Sequence, residues 1–180
     1  MSLVTAEEVK EVLGSPDIDN PTLDRMIARK QAFMENYIGR AISDTEYTEY
    51  YNVCAGLDSL NLRNYPVTIF TGMWKVTTSA AVVFNSTYYY VQQARGIIDL
   101  LAGVVFIGGN KSIKVQYNAG YATADIPKDL KDACIDLVCA QYIFHKVLVN
   151  EIESDKAGDR KTALEDSAYK TLDIYKGIAV

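Results

Sequence analysis

The spacing of apolar residues changes period twice along this chain, and that double switch limits the architectures open to it. Residues 5–39 follow the helical period, residues 46–121 are rich in aromatic and β-branched residues with turn signals between short runs, and the helical period returns after Pro127. An α+β chain follows, with two N-terminal and two C-terminal helices forming a helical core around an inserted antiparallel β-meander or small barrel-like sheet. The expected segments are 1–42, 46–121 and 126–180, within one domain spanning 1–180.

The helix ends are written in capping chemistry. Thr5-Ala6-Glu7-Glu8 is a capping box, in which the Thr5 hydroxyl accepts from the Glu8 N–H and Glu8 reaches back. Val9, Val12 and Leu13 then share a face up to Gly14, and Ser15-Pro16 stops the helix. Asn20-Pro21 supplies the next N-cap, with proline at the first helical position. Leu23, Ile27, Met34, Tyr37 and Ile38 form a stripe ending at Gly39, and Ala32 and Phe33 widen it enough for more than one packing neighbour. Beyond Pro127, a stripe of Leu130, Ala133, Cys134, Leu137, Val138, Gln141, Phe144 and Leu148 predicts the main core helix. Asn150 to Arg160 reads as a polar loop, and Lys161 to Tyr175 as a last helix with Leu164, Ala168, Leu172 and Tyr175 on one face.

Between the helical parts, β-prone runs fall at 47–53, 60–62, 67–76, 81–84, 88–92, 96–100, 104–107 and 112–117. Ile113-Lys114-Val115-Gln116-Tyr117 alternates as a strand with one wet face should. Gly108-Gly109-Asn110-Lys111 reads as a hairpin turn. The stretch from Gly103 to Ser112 superficially resembles a phosphate-binding loop, but Gly109 and Asn110 intervene before Lys111 and a strand follows.

Chemistry is sparse. His145 is the only histidine, so a two-histidine metal motif is excluded. Cys54, Cys134 and Cys139 have no metal or redox spacing; on a helix the last two point roughly 140° apart. Glu151, Glu153, Asp155 and Asp159 lack calcium-loop spacing and read as a solvated acidic loop. Glu46 and Glu49 fall on opposite faces of an extended strand, a poor acid–base pair. No catalytic, metal or cofactor-binding residue is expected, and the chain is not read as an enzyme. A formal charge of −5 argues against a phosphate-binding surface. The Met1-Ser2-Leu3-Val4 start lacks the features of a signal peptide, and no apolar run approaches the ~20 residues of a membrane span, so a soluble intracellular chain is expected.

The thirteen tyrosines are the remaining signal. Tyr50-Tyr51 and Tyr88-Tyr89-Tyr90 must each send at least one ring outward if extended. Sheet packing with wet hydroxyls is one reading, and a protein interface the other. Tyr50, Tyr88, Tyr89, Tyr90, Leu172 and Tyr175 are the interface candidates.

Three segments, in order, resemble the head–tail connector (adaptor) proteins of tailed bacteriophages and prophages. They are Thr5 to Lys10 with Leu23, Ile27 and Tyr37-Ile38-Gly39-Arg40; Leu62-Arg63-Asn64-Tyr65-Pro66-Val67; and Val115 to Tyr121 followed by Ile126-Pro127-Lys128-Asp129-Leu130-Lys131-Asp132-Ala133. The last, a strand closing in Y-x-A-G-Y before I-P-x-D-L-x-x-A, is the most distinctive. The resemblance implies a non-catalytic subunit that self-assembles into a ring at the virion head–tail junction beneath the portal protein. It implies a neighbouring connector or tail-completion protein as second partner, DNA passing through without specific binding, and residence in the host bacterial cytoplasm during assembly. It places Lys161 to Val180 toward the portal. The long sheet departs from the family pattern. Another morphogenesis protein, for head completion or tail termination, and a small β-rich binding module are the alternatives.

Overall fold

The computed structural model describes residues 2–15, 17–77, 80–101, 103–148 and 154–176. The fold is α+β and separates into a helical unit (residues 1–40 and 123–180) and a β unit (residues 41–122).

In the helical unit, α1 spans Ala6–Leu13 and α2 spans Asn20–Ile38. The expected Thr5 capping box is present, with Thr5 N donating to Glu8 Oε2 at 2.7 Å. The second cap falls one residue earlier than expected: Asp19, not Asn20, accepts from Thr22 N at 2.9 Å. Those Thr22 hydrogen bonds hold the Asp19 carboxyl below its ordinary pKa. α2 buries Leu23, Ile27, Met34 and Ile38 and ends at Gly39, whose φ of 83° is the left-handed conformation glycine adopts freely. It touches α1, α3 and α4, as its broad stripe suggested, although Phe33 itself stays exposed. Val12 of α1 is also exposed, a correction to its expected core face.

α3 (Lys128–Leu148) is the central helix, packed against the other three. It buries Leu130, Ala133, Cys134, Leu137 and Val138 as the stripe predicts, and also Ile135, Cys139, Ala140 and Ile143. A helix covered on several sides hides both cysteines despite their divergence, and burial pushes Cys134 up to about 12 and Cys139 up to about 11. Neither thiol is a ready nucleophile at neutral pH. Phe144 and Leu148, expected in the stripe, are exposed at the helix end. α4 runs from Ser154 to Tyr175, so helix replaces the expected loop from Ser154 to Arg160, and Gly158 lies inside it. Packing along α3 outweighs the ~1 kcal/mol that an interior glycine costs. Glu151 and Glu153 of the expected acidic loop, with Pro16 and the chain's last four residues, lie outside the described residues.

The β unit contains β1 (Thr45–Val53), β2 (Ser59–Asn61), β3 (Val67–Val76), β4 (Ala81–Val83), β5 (Tyr89–Gln92), β6 (Ile97–Leu100) and β7 (Gly109–Ala119). They form two antiparallel sheets, ordered β1-β7-β3-β4 and β2-β6-β5, with no closed barrel. One core joins the two sheets: Met73, Ile113, Val115 and Tyr117 from the first, Leu60 and Ile98 from the second, and Phe106 between strands. Ile113, Val115, Tyr117 and Ala119 are buried in alternation with half-buried Lys114, Gln116 and Asn118, as the wet-face pattern required.

Two local expectations fail here. Residues 104–107 form no strand, because their backbone bonds go to a short loop: Phe106 N donates to Leu57 O at 2.8 Å, and Gly56 N to Phe106 O at 3.1 Å. Gly109 and Asn110 belong to β7, with Gly109 opposite Val53, so no hairpin turn sits at 108–111.

Candidate assembly surfaces

The β unit sorts its tyrosines by register. Tyr51 and Tyr117 point inward, and Tyr50 points out at 44% exposure. Tyr88 closes a 3-10 turn and is half exposed, Tyr89 packs on Phe70 and Phe84, and Tyr90 is 61% exposed. Of the expected interface group, then, Tyr50, Tyr88 and Tyr90 offer surface and Tyr89 mostly serves packing. In the helical unit, Leu172 is fully buried, while the adjacent turn exposes Ile174 at 78%. The Tyr175 hydroxyl hydrogen-bonds the Asp129 carboxylate at 2.8 Å, and Arg40 Nη2 donates to Tyr175 O at 3.1 Å. The end of α4 is thereby tied to the start of α3 and the end of α2. Phe33, Tyr37 and Tyr169 make an aromatic cluster beside it, with Tyr37 donating to Asp173 at 2.8 Å and Lys176 Nζ 4.7 Å from the Tyr37 ring centre.

A half-buried carboxylate, Glu49, organises the inward tyrosines. Tyr51 and Tyr117 both donate to Glu49 Oε2, the latter at 2.8 Å, and Asn64 Nδ2 donates to Oε1 at 3.2 Å. The phenol oxygens accept in turn from Arg63 N (3.2 Å) and Asn64 N (3.3 Å). Residues 62–66, which lead through a cis Tyr65–Pro66 bond into β3, are thus anchored to β1 and β7 by side chains. Sequence reasoning weighed Glu49 only as a failed partner of Glu46. The usable signal was its place in the inward series Tyr47, Glu49, Tyr51, Val53, where a lone acid demands donors.

Burial and the Glu49 hydrogen bonds push both phenols well above their ordinary value of 10.0. The folded chain therefore keeps two protons that the unfolded chain releases near pH 10. Their contribution is whole below pH 10 and is lost as pH rises beyond it. Unfolding free energy should fall by about 1.4 kcal/mol per tyrosine per pH unit above 10. Denaturant melts between pH 8 and 11 check this; a flat profile above pH 10 contradicts it.

The outer face of the four-stranded sheet is built differently. Trp74 lies across Gly72, where a Cβ would come 3.0 Å from Trp74 Cη2, and Lys114 Nζ sits 4.9 Å from the indole ring centre. Gln116 donates to Glu46 at 2.7 Å on the same face.

His145 lies with Arg25, Tyr142, Lys146, Asp17 and Asp19 around an open cleft of about 750 Å³ in the helical unit. Its charges are mixed. Among the described residues no group of three or more His, Cys, Asp or Glu side chains is placed to hold a metal, and no helix is long and apolar enough to cross a membrane.

The exposed chemistry of the two units is aromatic and charged. The sequence profile of the head completion protein family matches residues 2–162. The chain belongs to the head completion protein family, a structural component of the head–tail junction of phage-like particles. No curated protein sequence matches it. Solved structures that share its fold include three from phage-like particles. A chain in the neck of an empty gene transfer agent (GTA) particle, computed with C6 symmetry, aligns at a TM-score of 0.68 and 16% identity over 99% of this chain and 91% of that one. A chain from the native GTA virion gives 0.66 and 16% over the same shares. One from the native GTA neck, computed with C12 symmetry, gives 0.62 and 18% over 97% and 88%.

Proposed function

We propose that the chain self-assembles into a ring at the head–tail junction, beneath the portal protein, where it extends the channel through which DNA passes and receives the next connector or tail-completion protein. The observation that carries this reading is the fold match over 97–99% of the chain to chains in rotationally symmetric necks, within a head completion family. The work is mechanical, not enzymatic, and assembly takes place in the host bacterial cytoplasm. The organisation is that of one connector domain carrying a β-rich insertion. Tyr50, Tyr88 and Tyr90 are its contact residues on the β unit, with Tyr175 bracing the end of α4, the part directed to the portal.

Charge supports passive DNA passage. The β unit balances five acids (Asp44, Glu46, Glu49, Asp58, Asp99) with five bases (Arg63, Lys75, Arg95, Lys111, Lys114). The net charge of −5 therefore belongs wholly to residues 1–40 and 123–180. Carboxylates of that unit lining the lumen repel phosphate and keep DNA moving; a lumen lined mainly by Lys and Arg sinks this part of the reading.

The family description favours a second emphasis, in which the ring chiefly closes the filled head. Deleting the gene from its producing strain tests both. Filled heads that lose DNA indicate closure, and stable filled heads beside unattached tails indicate connection. Normal tailed particles without the chain overturn both.

A further inference from the structure

The four-stranded sheet presents an exposed row to solvent. Register sets Tyr50, Lys114, Trp74 and Val83 side by side across β1, β7, β3 and β4. Tyr50 is 44% and Val83 67% exposed. Trp74, the chain's single tryptophan, is held flat over Gly72 with the Lys114 ammonium against it. A large ring already fixed in place loses little entropy on burial, and tryptophan is the residue most enriched where interfaces draw their energy.

Charge along this sheet is polarised. Lys111 and Lys114 lie toward the end where β7 starts, while Asp44 and Glu46 lie at the other; Lys75, opposite the buried Ile113, belongs to the other face. The surface that complements the cationic end carries carboxylates around an apolar centre. Such a surface is found on α1, which exposes Glu7, Glu8 and Glu11 with half-exposed Val12, opposed on that helix only by Lys10. The unit that bears α1 also holds the chain's entire net charge.

The geometry points to a contact between copies, in which the Trp74–Lys114 face of one chain receives the acidic α1 of a second copy. This rests on the ring reading above and deepens it. The two surfaces differ, so the contact is head to tail, the kind that propagates around a closed ring. Lys114 meets carboxylates of α1, and Trp74 and Val83 meet Val12.

The test is the copy number of the chain per purified particle, measured by quantitative mass spectrometry. The producing strain carries the wild type, Lys114→Glu, Lys114→Gln, Glu7→Lys with Glu11→Lys, or the full charge swap. Glu8 is left in place because it caps α1. Like charges facing each other across the contact should cut incorporation by about tenfold or more in each reversed variant, with Lys114→Gln intermediate. The full swap should restore it to within about twofold of wild type. Unfolding curves of the purified variants matching wild type confirm that folding is intact, and Lys114→Gln carries the test if a reversal impairs it. Unchanged incorporation of the reversed variants overturns this contact while leaving the ring standing. A swap no better than its parts overturns the pairing and assigns the Lys114 face to another neck protein. A single wild-type copy per particle overturns the ring reading, and this inference with it.

Discussion

Gly120→Ala will destabilise the chain by about 3–5 kcal/mol, the largest single-residue effect expected outside the core. Gly120 has φ 117°, a conformation that L side chains rarely adopt. A Cβ there would lie 2.5 Å from Ser43 O, 2.6 Å from Ser43 C and 2.9 Å from Asp44 N. All three are backbone atoms, so no rotamer change relieves the overlap. They are also held in place. Gly120 N donates to Pro66 O at 2.9 Å, Tyr121 N to Ile42 O at 2.8 Å, and Asp44 N to Tyr121 O at 3.0 Å. This is where the chain enters and leaves the β unit side by side, through the parallel bridge Ser43–Tyr121. Gly103, at φ 79° with open space around it, separates the two contributions. Its alanine variant should lose only about 1–2 kcal/mol, the cost of the backbone conformation alone. Urea unfolding of both variants measures the difference; equal losses would mean that the close approach to Ser43 carries no weight.

Glu49→Ala is the second large loss, about 3 kcal/mol, because it removes the one acceptor shared by Tyr51, Tyr117 and the Asn64 side chain. Tyr51 and Tyr117 are buried, so their hydroxyls gain no water in exchange. Glu49→Gln keeps the shape and an acceptor oxygen and should cost about 1 kcal/mol. The network also predicts coupling: Tyr51→Phe and Glu49→Gln combined should cost less than their sum by about 1 kcal/mol. Strict additivity in thermal melts would show that the three groups act independently.

Helix boundaries set by caps were legible because capping is local chemistry. The Thr5 box, the Gly39 exit and the first half of α3 all follow from residues within a few positions of one another. The start of α4 was not, since Gly158 and a polar composition argue locally against helix and only the contact with α3 overrides them. Strand propensity misled at 104–107 for a related reason. Val104, Val105, Phe106 and Ile107 favour extended structure, but their hydrogen-bond partners are Gly56 and Leu57, some fifty positions away, in a loop. Strand order lies beyond propensity altogether, as β7 inserts between β1 and β3 while β2, β5 and β6 form a separate sheet.

The surfaces were half legible. Adjacent tyrosines had to split between faces, and Tyr50 and Tyr51 do. Leu172 fitted a stripe equally suited to core or interface, and burial assigns it to core. The Trp74 plate was not visible, since it depends on Gly72 beneath it and on Lys114 from a strand about forty positions on. The Y-x-A-G-Y segment that carried the family resemblance has a physical basis in the same place: Gly120 is the position no other residue fits.

The most direct test of the central claim is a cryo-electron microscopy reconstruction of the neck in particles from the producing strain. It should show this α+β fold repeated around the particle axis between head and tail, one copy beside the next, with carboxylate-bearing helices toward the lumen. A neck in which the chain occurs once, or a chain located at the tail tip or on the head surface, would contradict it.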